Sequence, residues 1–331
     1  MTDKSLFNFT AAVIGTGYIG IQHLEALKSV VSEVVVCNVD AESGKAAAEK
    51  YGYRFYSDYT EMFKKEMLDF VDICVPTHLH AKIALDALEA GINVLCEKPF
   101  TTTLDDAHKV TLTAKEKNLS LMVAHCVRFC REYSFLKKCI DEKRYGSLVS
   151  LELYRNGPKP AWSTNNWLFD MEKSGGVVRD AHIHDTDIIN YILGCPKRVY
   201  TKGSAFCCST LYDYGTELLV TASASWRSAA KYPFSPMYEA AFEKGVLCFT
   251  GKELLLYTDD KITQNVLESE SFPYYLQSES LIFNEITYFC HCLENKIRTE
   301  MCETEQVCKS LEISFAESES MMNNKMVEIS R

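Results

Sequence analysis

Over roughly the first 120 residues, short β-branched runs alternate with stretches whose apolar positions recur at helical spacing, the βαβ pattern of a parallel sheet. AAVIG (11–15) and EVVVCNVD (33–40) read as strands, with a helix at 18–30 between them. Further helices are expected near 42–51, 59–66, 80–91 and 104–118, interleaved with strands at RFYSD, DFVDICVP (69–76), INVLCEKP and LSLMVAHC. After about residue 125 the rhythm changes. SLVSLELYRN (147–156) and GTELLVTASASWRS (215–228) alternate over longer spans without regular helices between them, which predicts a mainly antiparallel, open sheet with one packed face. Two helices close the chain, near 280–294 and 304–321. The expected fold class is α/β: a nucleotide-type domain over 1–124, then an α+β domain over 125–331 for substrate binding and oligomerisation.

Composition narrows the function classes. The 331 residues suffice for two cores, and 47% hydrophobic with 24% charged residues is ordinary for a globular chain. A net charge of −10 offers no basic patch, which argues against nucleic acid as a partner. No run approaches the ~18 apolar residues of a membrane span, and the N-terminus lacks a signal-like apolar region. Fourteen cysteines lie largely inside apolar runs such as VVVCNV and VDICVP, with no CxxC pair. That usage fits buried thiols in a reducing, cytoplasmic setting and gives no zinc-type spacing, so no metal is expected.

Gly15-Thr16-Gly17-Tyr18-Ile19-Gly20 fits GxGxxG directly after a strand and at the start of a helix. The first Gly allows the tight turn, the second lets backbone approach a pyrophosphate, and the third lets helix and strand pack closely. In this context the motif predicts a Rossmann dinucleotide site. Asn38 at the end of the second strand and Asp40 beyond it are the candidates for the ribose hydroxyls. No Arg lies between 33 and 53 to meet a 2′-phosphate, which favours NAD; Lys45 leaves NADP as the alternative.

Two segments carry candidate chemistry. Glu97-Lys98-Pro99 closes a buried strand at its carboxyl end; by position alone Lys98 reads equally as a snorkelling side chain or as a cation beside a substrate oxygen. GGVVRDAHIHDTDIINYILG (175–194) crowds Arg179, Asp180, His182, His184, Asp185 and Asp187 among apolar residues at helical spacing. In a regular helix Asp180, His184, Asp187 and Tyr191 share a stripe, while His182 points about 200° from His184, so the two histidines cannot chelate one ion. A His in partly apolar surroundings with Asp180 one turn earlier suits acid/base chemistry; a hydrogen-bonded core histidine accounts for the same residues.

AVIGTGYIG, the CVPTHLHAKIALDALEAGINVLCEKP block and SGGVVRDAHIHDTD together resemble the Gfo/Idh/MocA family of sugar and inositol dehydrogenases, from about residue 9 to MVEI near the end. The resemblance implies Lys98, Asp180 and His184 as the catalytic set, with Asp187 at the motif's further acidic position. It places Pro76, Thr77 and His80 near the nicotinamide side, so they join Gly15, Gly17, Tyr18, Ile19, Gly20, Asn38, Asp40, Glu97 and Lys98 as cofactor candidates. The implied reaction is NAD(P)-dependent hydride transfer from a secondary alcohol of a sugar, glycoside or cyclitol, with a homo-oligomer (dimer or tetramer) as the assembly. Alternatives are an NAD-dependent glycosidase using transient redox and a non-catalytic dinucleotide-sensing regulator. Arg155, Trp162, Asn165, Asn166 and Trp167, in the segment leading to the catalytic helix, are candidate sugar contacts, as are His125 and Arg128 after the last nucleotide-domain strand. Arg179 and His182 stand where the family has apolar or small residues, and Asn38 where it often has an acid.

Overall fold

The structure, a computed structural model, describes residues 5–161, 164–169 and 174–329. It divides into two compact units, one of residues 1–126 with 274–308, the other of 127–273 with 309–331.

In the first unit six parallel strands, β1 (Phe7–Ile14), β2 (Val31–Cys37), β3 (Arg54–Tyr56), β4 (Phe70–Ile73), β5 (Asn93–Glu97) and β6 (Leu121–Ala124), run in the order β3-β2-β1-β4-β5-β6. Between them lie α1 (Tyr18–Val30), α2 (Ala41–Tyr51), α3 (Tyr59–Lys65), α4 (His80–Glu89) and α5 (Leu104–Glu116). Ala11 to Ile14 are buried, as are all four residues of β4 and of β6, which is why these strands read as continuous apolar runs. The strand order reverses at β1 and β4, and the carboxyl ends of such strands are where ligands gather. Cys37, Cys74 and Cys96 are buried free thiols in this core.

The second unit begins with α6 (Arg131–Asp141) and β7 (Leu148–Pro158), followed by a short 3₁₀ segment, Thr164–Phe169. A π-helical turn, Val178–His182, runs directly into α7 (Ile183–Leu193). Then come β8 (Arg198–Ser204), β9 (Cys207–Asp213), β10 (Leu219–Arg227), β11 (Ser235–Phe242), β12 (Gly245–Phe249), β13 (Leu254–Tyr257) and β14 (Ile262–Thr263). The chain returns to the first unit for α8 (Leu281–Asn295), starts α9 (Thr304–Asn323) there, and ends in the second unit with β15 (Val327–Glu328). The nine strands are ordered β14-β13-β12-β11-β7-β10-β9-β8-β15. No helix among the described residues is long and apolar enough to cross a membrane.

Four features depart from the sequence-based expectation. The first boundary falls at 126 rather than 124, and residues 274–308 belong with the nucleotide-type unit instead of the sheet domain. The return has an apolar cause: α8 contributes Phe289, whose ring meets Phe70 of β4 edge-on at 5.3 Å. A helix, α6, occupies a span expected to lack one; Tyr133, Leu136 and Cys139 recur at three-residue spacing on its buried side. The open sheet contains a parallel pair at its centre, β7 with β10, a non-local pairing that alternation cannot reveal. The apolar alternation of 215–228 faces the core, through Val220, Ala222 and Ala224, whereas Thr221 and Ser223 are on the half-exposed face.

Beneath α7 the second unit buries a polar network. Thr186 Oγ1 donates to the Glu317 carboxyl of α9 (2.9 and 3.1 Å), and His182 Nε2 sits 2.9 Å from Thr210 Oγ1 and 3.2 Å from the Tyr212 hydroxyl. Burial, aided by the charge of Asp185 and opposed by hydrogen bonds from Tyr212 and Thr186, pushes the Glu317 carboxyl up to about 8. Below the ordinary carboxyl range folded and unfolded chains both hold this proton. Between that range and about pH 8 only the folded chain keeps it, so stability falls by about 1.4 kcal/mol per pH unit as pH rises. The stability advantage of Glu317→Gln over the natural chain, measured by urea unfolding, is expected to widen from pH ~5 to pH ~8 and then level off.

Candidate cofactor and active site

The glycine turn is built by close backbone approach. Gly15 has φ +103°, donates its N–H to Cys37 O at 2.8 Å, and would press any Cβ onto the Cys74 carbonyl. A Cβ on Gly20 would overlap the Gly15 carbonyl, so the third glycine is fixed by helix–turn contact. Gly17 differs: nothing lies within 4 Å of where its Cβ would be. It is also the N-cap of α1 and supplies no side-chain cap, so the first-turn N–H groups face an open approach. This cradle fits a dinucleotide pyrophosphate. Tyr18 is exposed and Ile19 half-buried at its rim. Asp40 Oδ1 accepts from Ser43 N at 2.8 Å and caps α2, while Asn38 Nδ2 donates to Asp40 O and Ser43 Oγ. Those contacts lower the Asp40 carboxyl below its ordinary range, chiefly through the Ser43 hydroxyl, and keep an anion at the strand end.

The Glu97-Lys98-Pro99 turn is gripped on two sides. The Lys98–Pro99 peptide is cis. His80, buried on α4, has Nδ1 2.9 Å from Pro99 O and Nε2 2.8 Å from Val75 O, so it ties the loop after β4 to the turn after β5. Burial lowers its pKa despite those carbonyls, so one nitrogen donates at a time. Thr77 is buried and Pro76 half-buried in that loop. Glu97 is buried, its Oε2 accepting the Lys98 N–H at 2.9 Å, whereas Lys98 itself is half-buried.

In the second unit Gly175 and Gly176 both take positive φ (76° and 64°), which lets the chain turn into the helix. The residues after them separate by burial. Asp180 and His184 are half-buried; His182, Asp185 and Asp187 are fully buried. The Arg155 guanidinium grips Asp185 through Nη2 at 2.7 Å, and Arg128 grips Asp187 through Nε at 2.7 Å and Nη2 at 2.6 Å. Ser310 also donates to Asp187, at 2.7 Å. Burial pushes the Asp185 carboxyl above its ordinary range even beside Arg155, and burial with the Arg155 charge drops the His182 ring to about 3.

Several expected roles shift accordingly. Arg128 and Arg155 are buried, and each grips a buried carboxylate of α7. Asp187, three residues on from His184 in α7, is drawn into the interior by Arg128 and Ser310 and does not share the half-buried surroundings of Asp180 and His184. His182 is a neutral core histidine. His125 is buried at the end of β6 in the first unit, and Trp167 is half-buried in the 3₁₀ segment. Trp162 and the side chains of Asn165 and Asn166 lie outside the described residues. Lys98 belongs to the first unit, Asp180 and His184 to the second. Sequence reasoning passed over His23 and Asp72, which touch inside the first unit; the signal was an acid in the middle of an apolar strand and a His on the apolar side of α1.

Residues 9–125 match the model described as "Oxidoreductase family, NAD-binding Rossmann fold", and residues 133–248 match the "GFO/IDH/MocA C-terminal domain". Among curated relatives, a 2,7-anhydro-N-acetylneuraminate hydratase of Mediterraneibacter gnavus is 29% identical over 58% of this chain and 51% of its own. A myo-inositol 2-dehydrogenase of Thermotoga maritima is also 29% identical, over 58% of this chain and 57% of that one. The chain thus spans about half the length of the curated relatives it matches. A levoglucosan dehydrogenase solved with NADH and levoglucosan shares the fold at a TM-score of 0.85, with 20% identity over 98% of this chain and 100% of that chain.

Removing Arg155 leaves Asp185 buried without its counter-charge, which costs about 3–5 kcal/mol. Arg155→Met is therefore expected to lower unfolding stability by that order, and Arg155→Met with Asp185→Leu to recover most of it, as chemical denaturation will read out.

Proposed function

Because the chain belongs to the Gfo/Idh/MocA oxidoreductase family, we propose that it is an NAD-dependent dehydrogenase acting on a secondary alcohol of a sugar or cyclitol. The observation that carries this reading is that one chain holds an open glycine cradle after β1, a half-buried lysine at the end of β5 and, in its second unit, half-buried Asp180 and His184 near the head of α7. Bound NAD supplies the hydride acceptor. Gly15, Gly17 and Gly20 shape the pyrophosphate seat, the α1 N-terminus offers N–H donors, and Asn38 with Asp40 stands at the ribose position. Pro76, Thr77, His80 and Glu97 build the wall on which Lys98 is carried.

His184 accepts the hydroxyl proton of the carbinol, Lys98 donates to the developing alkoxide, and Asp180 orients the imidazole or relays its proton. Trp167 offers an aromatic face to sugar C–H groups. NADP is disfavoured because no guanidinium stands between 33 and 53. A second reading, transient oxidation followed by re-reduction, draws support from the relative named as a hydratase, a name that denotes no net oxidation. The reading includes a homo-oligomer, dimer or tetramer, which sedimentation velocity distinguishes from a monomer.

A panel of hexoses, inositols and anhydro-sugars assayed with NAD and NADP is expected to yield net NADH with at least one polyol. Substrate conversion without NADH would select the second reading; neither outcome, together with tight NAD binding, would point to a regulatory protein. Lys98→Ala and His184→Ala are each expected to lower turnover by about 10²–10³ while NAD binding, followed by calorimetry, is retained. Full turnover in His184→Ala would remove it as the base.

A further inference from the structure

Within the first unit, α1, β4, β5 and α8 converge on a cluster of buried ionisable groups. His23, Asp72 and Glu285 have no solvent exposure, and Glu97 has 6%. His23 Nδ1 lies 2.8 Å from Asp72 Oδ2, and its Nε2 lies 3.1 Å from Glu97 Oε1. A ring nitrogen facing an ionised carboxylate must carry the proton, so with both acids ionised the ring is an imidazolium that donates twice. The other Glu97 oxygen, Oε2, accepts the backbone N–H of Lys98 at 2.9 Å. The chain of contacts therefore runs from β4 through a helix-borne cation to the residue that carries the candidate amine.

We propose that His23 is a positioning residue, a buried imidazolium that holds Glu97 ionised and in place and through it sets the backbone and charge environment of Lys98. The proposal rests on the reading of Lys98 given above and adds to it the element that fixes the lysine.

The charges around the cluster are consistent with this. Burial opposes the charged ring, yet the Asp72 charge, with the hydrogen bonds of Asp72 and Cys74, outweighs it and holds His23 well above its ordinary range. Burial likewise opposes the Glu97 anion, but the His23 bond, the His23 charge and the neighbouring charges of Lys98 and His80 keep it below the usual carboxylate range. Glu285, on α8, makes no hydrogen bond through either oxygen among the described residues; burial and the nearby Glu97 charge push its carboxyl far up, so it remains a neutral acid. Cys74 Sγ donates to Asp72 Oδ1 at 3.5 Å, and burial keeps that thiol protonated. Asp72 and Glu97 then supply two negative charges, His23 and Lys98 two positive ones. Both His23 nitrogens are engaged by carboxylates at hydrogen-bond distance.

His23→Gln keeps an amide donor and removes the positive charge. Glu97 should then take up a proton near neutral pH and lose its anion beside Lys98. The expected result is a fall in kcat of about tenfold at pH ~7 and an acid limb of kcat displaced upward by about one pH unit or more. Affinity for NAD, by calorimetry, should stay within about threefold, because the cradle at Gly15 to Gly20 is untouched. A merely structural role would reduce the folded fraction without moving the acid limb. An unmoved limb with kcat within about twofold of the natural chain would overturn the proposal. A second measurement needs neither the variant nor turnover: nitrogen-15 spectra of the natural protein should show His23 protonated on both ring nitrogens at about pH 7.5. A neutral His23 ring at that pH would overturn the proposal, whether or not any polyol is oxidised.

Discussion

A charge withdrawn from water must meet an opposite charge close by, and this constraint decides how both functional segments are held. In the second unit the head of α7 carries Asp185 and Asp187 into the interior, where Arg155 from β7 and Arg128 from the turn before α6 receive them. Such pairs add little net stability over apolar replacements, because desolvation consumes most of the Coulomb gain. Their contribution is geometric. A guanidinium bound through two nitrogens admits one orientation, so α7 cannot slide along β7 without leaving a bare carboxylate behind. The Arg128 guanidinium also lies 4.7 Å from the centre of the Tyr191 ring, which fixes the same helix about one turn beyond Asp187.

The same constraint explains why a segment bound for the interior carries so many titratable groups. Residues 178–193 run as a π-turn followed directly by α7, and their ionisable groups fall into three surroundings. Asp185 and Asp187 meet arginines. His182 enters the uncharged network of Thr210 and Tyr212 and is held neutral. Asp180 and His184 stay half-buried. Arg179, next to Asp180, is packed over the Phe315 ring at 5.0 Å, with its side chain where a Cβ on Gly175 would fall. Each ionisable group thus has its own reason to be present, and a single amphipathic stripe does not describe them.

Much of the first unit was legible because its information is local. The βαβ rhythm, the glycine turn and the 18–30 helix depend on residues close in sequence, and the observed α1 has those same bounds. What escaped depends on residues far apart. The parallel β7–β10 pair joins strands separated by β8 and β9, and its register leaves no periodic mark in either strand. The return of 274–308 to the first unit is decided by which apolar face α8 meets, information held by Phe70 and not by the helix. At the candidate site the residue types were readable and their partners were not. Arg155 reads from the sequence as a donor for sugar hydroxyls; its pairing with Asp185, thirty residues away, leaves no mark that the sequence shows.

The two motifs share a design that the burial pattern makes visible. In each, a fully buried, anchored group sits beside a half-buried one: Glu97 beside Lys98, and His182 with Asp185 flanking His184. A group buried and paired on all sides is poor at exchanging protons with a substrate, because leaving its partner exposes an uncompensated charge. A fully exposed group, in turn, loses its bias to solvent screening. Half-burial next to an anchored neighbour avoids both: the anchor fixes the backbone, and the working side chain keeps one open side and a low-dielectric back. On this argument the sequence neighbours of Lys98 and His184 determine where an amine and an imidazole can be held without being sealed in.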